Sequence, residues 1–211
     1  MVCYKLIMKN SIQAFTLIEV LITIAIFGIL MALGIPGLNK FMVNNELTSR
    51  NNNLVAALQY ARSESIKLSG RVVLCASRNS TTAVPVCATD ADWIDGWVVF
   101  HDTNNDAVFS PGADTLLNQF PSLAGNNLTL TTHVLRNGDP RTILGYISFV
   151  RPRGEPMDIS GNNQSGVFLF CIPGDSERIR GVMVHSSGRV YSSRDKDTIG
   201  SHIECPGPAA G

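Results

Sequence analysis

The hydrophobic pattern changes twice along the chain. Residues 15–38 read FTLIEVLITIAIFGILMALGIPGL, apolar around the whole circumference of a helix and interrupted by one charge, Glu19. About 20 apolar residues suffice to span a bilayer core, so this run predicts a single transmembrane helix. Beyond it, Phe41, Leu47, Leu54, Leu58, Ala61 and Ser65 recur close to helical spacing with polar residues between them, which predicts an amphipathic continuation over 39–69. No helix breaker intervenes before Gly70. Residues 15–68 therefore read as one helix of roughly 80 Å at 1.5 Å per residue. Pro36, flanked by Gly34 and Gly37, is expected to kink or locally melt it.

From residue 70 onward the pattern shifts to short β-rich runs separated by turn residues. The predicted strands are Arg71–Ala76, 96–101, 128–130, 142–149, 166–171, 181–184 and 188–192, with 102–115 and 152–165 as loops and 206–211 as a loose tail. Strands packed on the second half of one long helix give an α+β fold: a long N-terminal transmembrane and amphipathic helix on an antiparallel, β-rich globular domain over 70–205.

Composition narrows the class. A chain of 211 residues suits one domain of about 150 residues plus an extension. Its 17 basic and 17 acidic side chains balance, which excludes a generally basic nucleic-acid binder. Lys5 and Lys9 precede the apolar run, so the positive-inside rule places the N-terminus in the cytoplasm and the β-rich part outside. A cleaved secretory signal fits poorly, because the run is long and passes straight into the amphipathic helix. Glu19 needs its own explanation: a carboxylate inside a span is costly unless paired, and marks a partner or a pathway unless it snorkels to the headgroups.

The string Ala14-Phe15-Thr16-Leu17-Ile18-Glu19-Val20 resembles the type IV pilin class III signal, in which prepilin peptidase cuts before a Phe and the new N-terminus is methylated. The resemblance implies a leader over 1–14, cleavage between Ala14 and Phe15, and assembly roles for Glu19 and Pro36 as the fifth and twenty-second mature residues. Ala14 stands where the signal usually has Gly. Met8 would give a more usual short leader and is expected to be the true start, which removes Cys3. Cleavage leaves an amine on Phe15, and Glu19 of a neighbouring subunit can neutralise it in a low-dielectric helix bundle, setting axial register. The implied partners are other pilins or pseudopilins, prepilin peptidase and the bacterial inner membrane, with no cofactor.

Four further cysteines, Cys75, Cys87, Cys171 and Cys205, fall on the non-cytoplasmic side and read as two disulfides. Three connectivities are open. The expected one, Cys75–Cys87 with Cys171–Cys205, closes the two shortest loops, each bridge contributing roughly 3–4 kcal/mol by chain entropy. The segment Trp93-Ile94-Asp95-Gly96-Trp97-Val98-Val99-Phe100 with the following Asp102-Thr103-Asn104-Asn105-Asp106 resembles the globular domain of the pseudopilin H/FimT (GspH/FimT) family. So do Ala61-Arg62-Ser63-Glu64-Ser65, Ile147-Ser148-Phe149 with Gly154, and Ser187-Gly188-Arg189-Val190. This implies a pilin-like fold and a minor pilin or pseudopilin of a type IV pilus or type II secretion pseudopilus, with a priming, capping or tip role.

Catalytic signatures are missing: the chain has no GxSxG, HExxH, GxGxxG or P-loop, and His101, His133, His185 and His202 are scattered. Asp102-x-Asn104-x-Asp106 begins like a calcium loop, but Ala107 stands where the EF-hand turn needs Gly, so it reads as a turn. Trp93 and Trp97 read as core or rim anchors. Charge is uneven: residues 71–135 carry net −4 and residues 136–196 net +3. The basic part contains Arg178, Arg180, Arg189 and Arg194, the candidate contacts for an alternative role in DNA binding during natural transformation. FimT-like proteins with that role carry Gly-Arg-x-Arg; here Gly188-Arg189-Val190-Tyr191 lacks the second Arg, and Asp195 and Asp197 lie beside Arg194.

Overall fold

Residues 15–88, 92–123, 128–134, 145–199 and 205 are described in a computed structural model of the chain. The leader 1–14, with Ala14, Met8 and Cys3, and the tail 206–211 lie outside them. The chain divides into two compact units, Met1–Met42 and Val43–Gly211.

Helix α1 (Leu17–Lys67) begins in the first unit and ends in the second. In the first unit its large apolar side chains are exposed on every side, among them Ile18, Leu21, Ile24, Phe27 and Leu30. The helix runs unbroken through Pro36, so the expected melted turn does not form. Proline removes one backbone donor there without ending the helix. Among the described residues no helix is long and apolar enough to cross a membrane.

In the second unit, α1 buries Leu47, Asn51, Leu54, Leu58, Ala61 and Ser65, spaced alternately four and three residues apart, the stripe of an amphipathic helix. Phe41, expected on this face, is exposed. It precedes Leu47 by six residues, which at 3.6 residues per turn turns it about 120° off the stripe. The helix closes with paired bonds from Gly70 N–H to the Ser65 carbonyl (3.2 Å) and from Ser69 N–H to the Ile66 carbonyl (3.3 Å). Ser69 takes the left-handed position, φ 51°, of this Schellman ending.

The strands are β1 (Arg71–Ala76), β2 (Trp97–Asp102), β3 (Thr115–Phe120), β4 (Thr129–Val134), β5 (Tyr146–Val150), β6 (Glu155–Pro156), β7 (Gly166–Ile172), β8 (Asp175–Val184) and β9 (Val190–Ser193). A 3-10 turn (Trp93–Asp95) precedes β2, and a short helix α2 (Lys196–Ile199) follows β9. They form two antiparallel sheets, ordered β3-β2-β1-β5-β6 and β4-β7-β8-β9. Several expected bounds move. Residues 115–120 form a strand, β6 interrupts the 152–165 loop, β8 begins at Asp175 rather than 181, and β9 begins at Val190 rather than 188. Of the expected strand 142–149, residues 142–144 lie outside the described part, and β5 begins at Tyr146.

Both sheets turn an apolar face to the α1 stripe. Val72 and Leu74 of β1, Trp97 and Val99 of β2, Ile147 and Phe149 of β5, Phe168 and Phe170 of β7, and Val182 and Val184 of β8 make one core with Leu47, Leu54 and Leu58. Trp93 packs edge-on against Phe168 with ring centroids 5.0 Å apart, and Trp97 stacks on Phe120 at 5.6 Å, so both tryptophans belong to the core side. The opposite faces are apolar as well. Val73, Cys75, Val98 and Phe100 are covered by Ala107, Phe109 and Cys87, while Val167, Leu169, Cys171, Ile179 and Met183 are covered by Ile199, Tyr191 and Cys205.

Each outer cover is held by a disulfide. Cys75 of β1 bonds to Cys87, 12 residues on, and Cys171 of β7 bonds to Cys205, 34 residues on. Chain entropy gives the longer loop the greater effect, about 4 against about 3 kcal/mol. Replacing Cys171 and Cys205 together by Ser should lower the unfolding free energy of the outer domain by about 2–5 kcal/mol, and by more than the Cys75/Cys87 double replacement. Denaturant unfolding of the two double variants checks both the size and the order.

Candidate functional site

The start of α1 is built from four residues. Thr16 caps the helix: the Glu19 N–H donates to Thr16 Oγ1 (3.3 Å), and the N–H groups of Glu19 and Val20 reach the Thr16 carbonyl at 3.1 and 3.3 Å. Thr16-Leu17-Ile18-Glu19 has the capping-box spacing, and it puts the carboxylate in the first turn, where the helix dipole favours an acid. The hydropathy reading missed Thr16, although its spacing to Glu19 was the signal. Phe15 precedes the helix and is 83% exposed. Ala14 lies outside the described residues, and of Pro36 only the helical backbone is described. A helix apolar all round has no face suited to water, and its cover must come from lipid or from other helices.

A second cluster lies in the globular unit. Arg62 of α1 donates from Nη2 to the carbonyls of Arg153 (3.3 Å) and Ser187 (3.2 Å), and its Nε is buried without a partner. Gly154, φ 66°, and Gly188, φ 77°, close this junction. A Cβ on Gly188 would lie 1.9 Å from the Gly154 carbonyl oxygen, and one on Gly154 would lie 2.6 Å from Arg62 Cγ. Three short motifs far apart in the sequence thus meet in one knot that joins the helix, the β5–β6 turn of one sheet and the β8–β9 turn of the other.

Arg71 makes a similar knot at the start of β1. Its Nη1 donates to Ser148 Oγ (2.6 Å) and to the carbonyls of Met157 (2.9 Å) and Asp158 (3.3 Å). Asp102 is buried, and its carboxylate accepts the backbone N–H groups of Asn105 (2.7 Å), Asp106 (3.3 Å) and Ala107 (2.9 Å). That carboxylate organises a turn. Among the described residues no group of three His, Cys, Asp or Glu side chains could hold a metal ion. A cleft of about 350 Å³ beside it is lined by Gly70, Arg71, His101, Asp102, Asn105 and Arg151 among others, but Arg71 and Asp102 are committed to the contacts just given.

The four candidate DNA contacts are not one patch of equivalent groups. Arg178 is paired with Asp175, whose carboxyl that bond holds below its ordinary value, helped by the Arg178 and Glu177 backbone N–H groups and opposed by slight burial. Arg189 is exposed and lies 5.4 Å over the Tyr191 ring. Arg180 and Arg194 lie near each other at the far end of the β8–β9 pair.

An apolar, capped N-terminal helix with one carboxylate in its first turn, continuing into a helix that carries two disulfide-stapled antiparallel sheets, is the architecture of a pilin-like subunit. The chain belongs to the GspH family: the profile described as type II transport protein GspH matches residues 51–188, well over half of it. The prokaryotic N-terminal methylation motif matches residues 9–35. No curated protein sequence matches the chain. Two crystal structures of the Pseudomonas aeruginosa type IV minor pilin FimU are similar to it. One, in space group P21, is 19% identical with a TM-score of 0.49 and covers 72% of this chain and 92% of its own. The other, in space group P65, is 18% identical with a TM-score of 0.45 and covers 70% and 92%. The two family matches thus make the chain a GspH-family protein with an N-terminal methylation motif.

Gly188→Ala should destabilise the outer domain by at least about 2 kcal/mol, from overpacking against the Gly154 carbonyl and from the left-handed backbone. Thermal unfolding of this variant beside Gly161→Ala, whose Cβ would meet nothing within 4 Å, separates the clash from the backbone cost, because Gly161 shares a positive φ of 81°.

Proposed function

We propose that the chain is a non-catalytic subunit that joins a helical filament through its N-terminal helix and takes a priming or tip position in a type IV pilus or a type II secretion pseudopilus. The observation that carries this reading is the first unit of the helix, exposed on all sides and apolar between Phe15 and Ala32 except for Glu19 and two threonines. The priming or tip position rests on the resemblance to minor subunits.

Before assembly the apolar helix sits in the inner membrane, with the β-rich unit on the periplasmic side. Prepilin peptidase cuts between Ala14 and Phe15, and the new amine is methylated. Glu19 then meets the Phe15 amine of a neighbouring subunit. In a bundle of low dielectric, either charge alone is strongly disfavoured and the pair is tolerated, so register follows from charge pairing. Apolar contact among subunits replaces contact with lipid, and no bond is made or broken in that step.

Glu19→Ala should leave the protein in the membrane fraction with both disulfides formed, and should reduce its amount in sheared filaments or pseudopili at least tenfold. Quantitative immunoblotting of the two fractions checks this. Incorporation at the level of the unaltered chain would overturn the role given to Glu19.

A further inference from the structure

The antiparallel pairing of β8 and β9 ends at Gly181 opposite Ser193; Arg180 and Arg194 are the next residues outward, and their charges act on each other. Like charges held near each other repel. Neither has an acidic partner among the described residues. Arg180 reaches only the carbonyl of Ile179 from Nη1 (2.8 Å), and its Nε is buried without a partner. Desolvation, with the Arg194 charge added, holds the Arg180 guanidinium below its ordinary value.

The acids nearby are engaged elsewhere. Asp175 pairs with Arg178, and Asp195 accepts Thr198 Oγ1 (2.6 Å) and the backbone N–H groups of Asp197 and Thr198 (both 3.3 Å) at the start of α2. One further polar group is left open at this end of the sheet. Asn51 of α1 donates from Nδ2 to Ser192 Oγ (2.8 Å), two residues before Arg194, while its Oδ1 is 2% exposed with the rest of the residue and has no partner.

We infer that Arg180 and Arg194 form a notch for a single carboxylate side chain of a neighbouring filament subunit. Guanidinium groups bind carboxylates in a planar, two-bond geometry, and one such anion between the two would cancel their repulsion. The setting favours a single carboxylate over a polyanion, since Asp175, Glu177, Asp195 and Asp197 all lie within five residues of Arg180 or Arg194 along the chain, and their charge opposes an extended phosphate backbone. The bond from Asn51 ties the notch to α1, the element through which the proposed subunit assembles. The inference rests on that assembly reading.

The test uses the full chain in the cells that make it. Arg194→Lys keeps the charge and adds an amine that a carbodiimide couples, at zero length, to a carboxylate in contact. Sheared filaments treated this way should yield a crosslink from position 194 to an Asp or Glu of another subunit, absent when Glu19→Ala is combined with it. Arg194→Glu should lower incorporation at least tenfold, while Arg194→Gln should raise the Tm of the detergent-purified chain by about 1–3 °C as the repulsion is relieved. Normal incorporation of Arg194→Glu, with no crosslink from position 194 in filaments that contain the Arg194→Lys chain, would overturn the notch alone. Low-salt binding of a duplex oligonucleotide that Arg194→Glu abolishes, with incorporation unchanged, would overturn it in favour of phosphate. Absence of the unaltered chain from filaments would overturn the assembly reading, and the notch with it.

Discussion

Everything in this chain depends on an apolar helix that cannot cover itself. Along the first unit of α1, side chains from Ile18 to Met31 are exposed around the whole circumference. At about 25 cal/mol per Å² of apolar surface, such a helix is strongly driven out of water, and lipid and neighbouring helices are equivalent covers for it. The single carboxylate is the group that tells them apart. It is disfavoured in both settings unless it is paired, and in the proposed assembly a neighbouring subunit brings an amine to the same depth. The capping geometry at Thr16 fixes where in the first turn that carboxylate stands.

The globular unit solves a different problem. Its two sheets are apolar on both faces, but α1 supplies a single stripe, from Leu47 to Ser65, to cover the inner ones. The outer face of the first sheet is covered by loop residues and that of the second by Tyr191 of β9, Ile199 of α2 and Cys205, and a disulfide from Cys75 or Cys171 ties part of each cover to the strand beneath it. Covers of this kind suit an oxidising compartment, where thiols are readily paired. Arg62, Gly154 and Gly188 then connect helix and both sheets at one junction, which accounts for three short motifs lying so far apart in the chain.

Much of the fold was legible because it is local. β1 was bounded correctly since Val72 to Ala76 is an unbroken apolar run, and the α1 stripe followed from its spacing. The shortest-loop rule paired the cysteines as they are found. β3 was missed because a bulge between Val99 and Phe100 shifts its register, so Asn118 and Leu116 face consecutive residues of β2 and the alternation is lost. The first half of β8 was missed because Asp175 to Arg178 is wholly polar, and its pairing begins at a tight return from Ile172. Of the candidate site, Phe15 and Glu19 stood out as sequence, whereas the Arg62 knot and the Arg180–Arg194 pair did not. Those are contacts between residues 14 to 125 positions apart, and no periodicity announces them.

The most direct measurement of the central claim is the intact mass of the protein extracted from cells with and without an active prepilin peptidase. The account predicts a chain that begins at methylated Phe15 when the peptidase is present and keeps its leader when it is absent. A chain that keeps the leader in both, or is cut downstream near Gly34 instead, would contradict it.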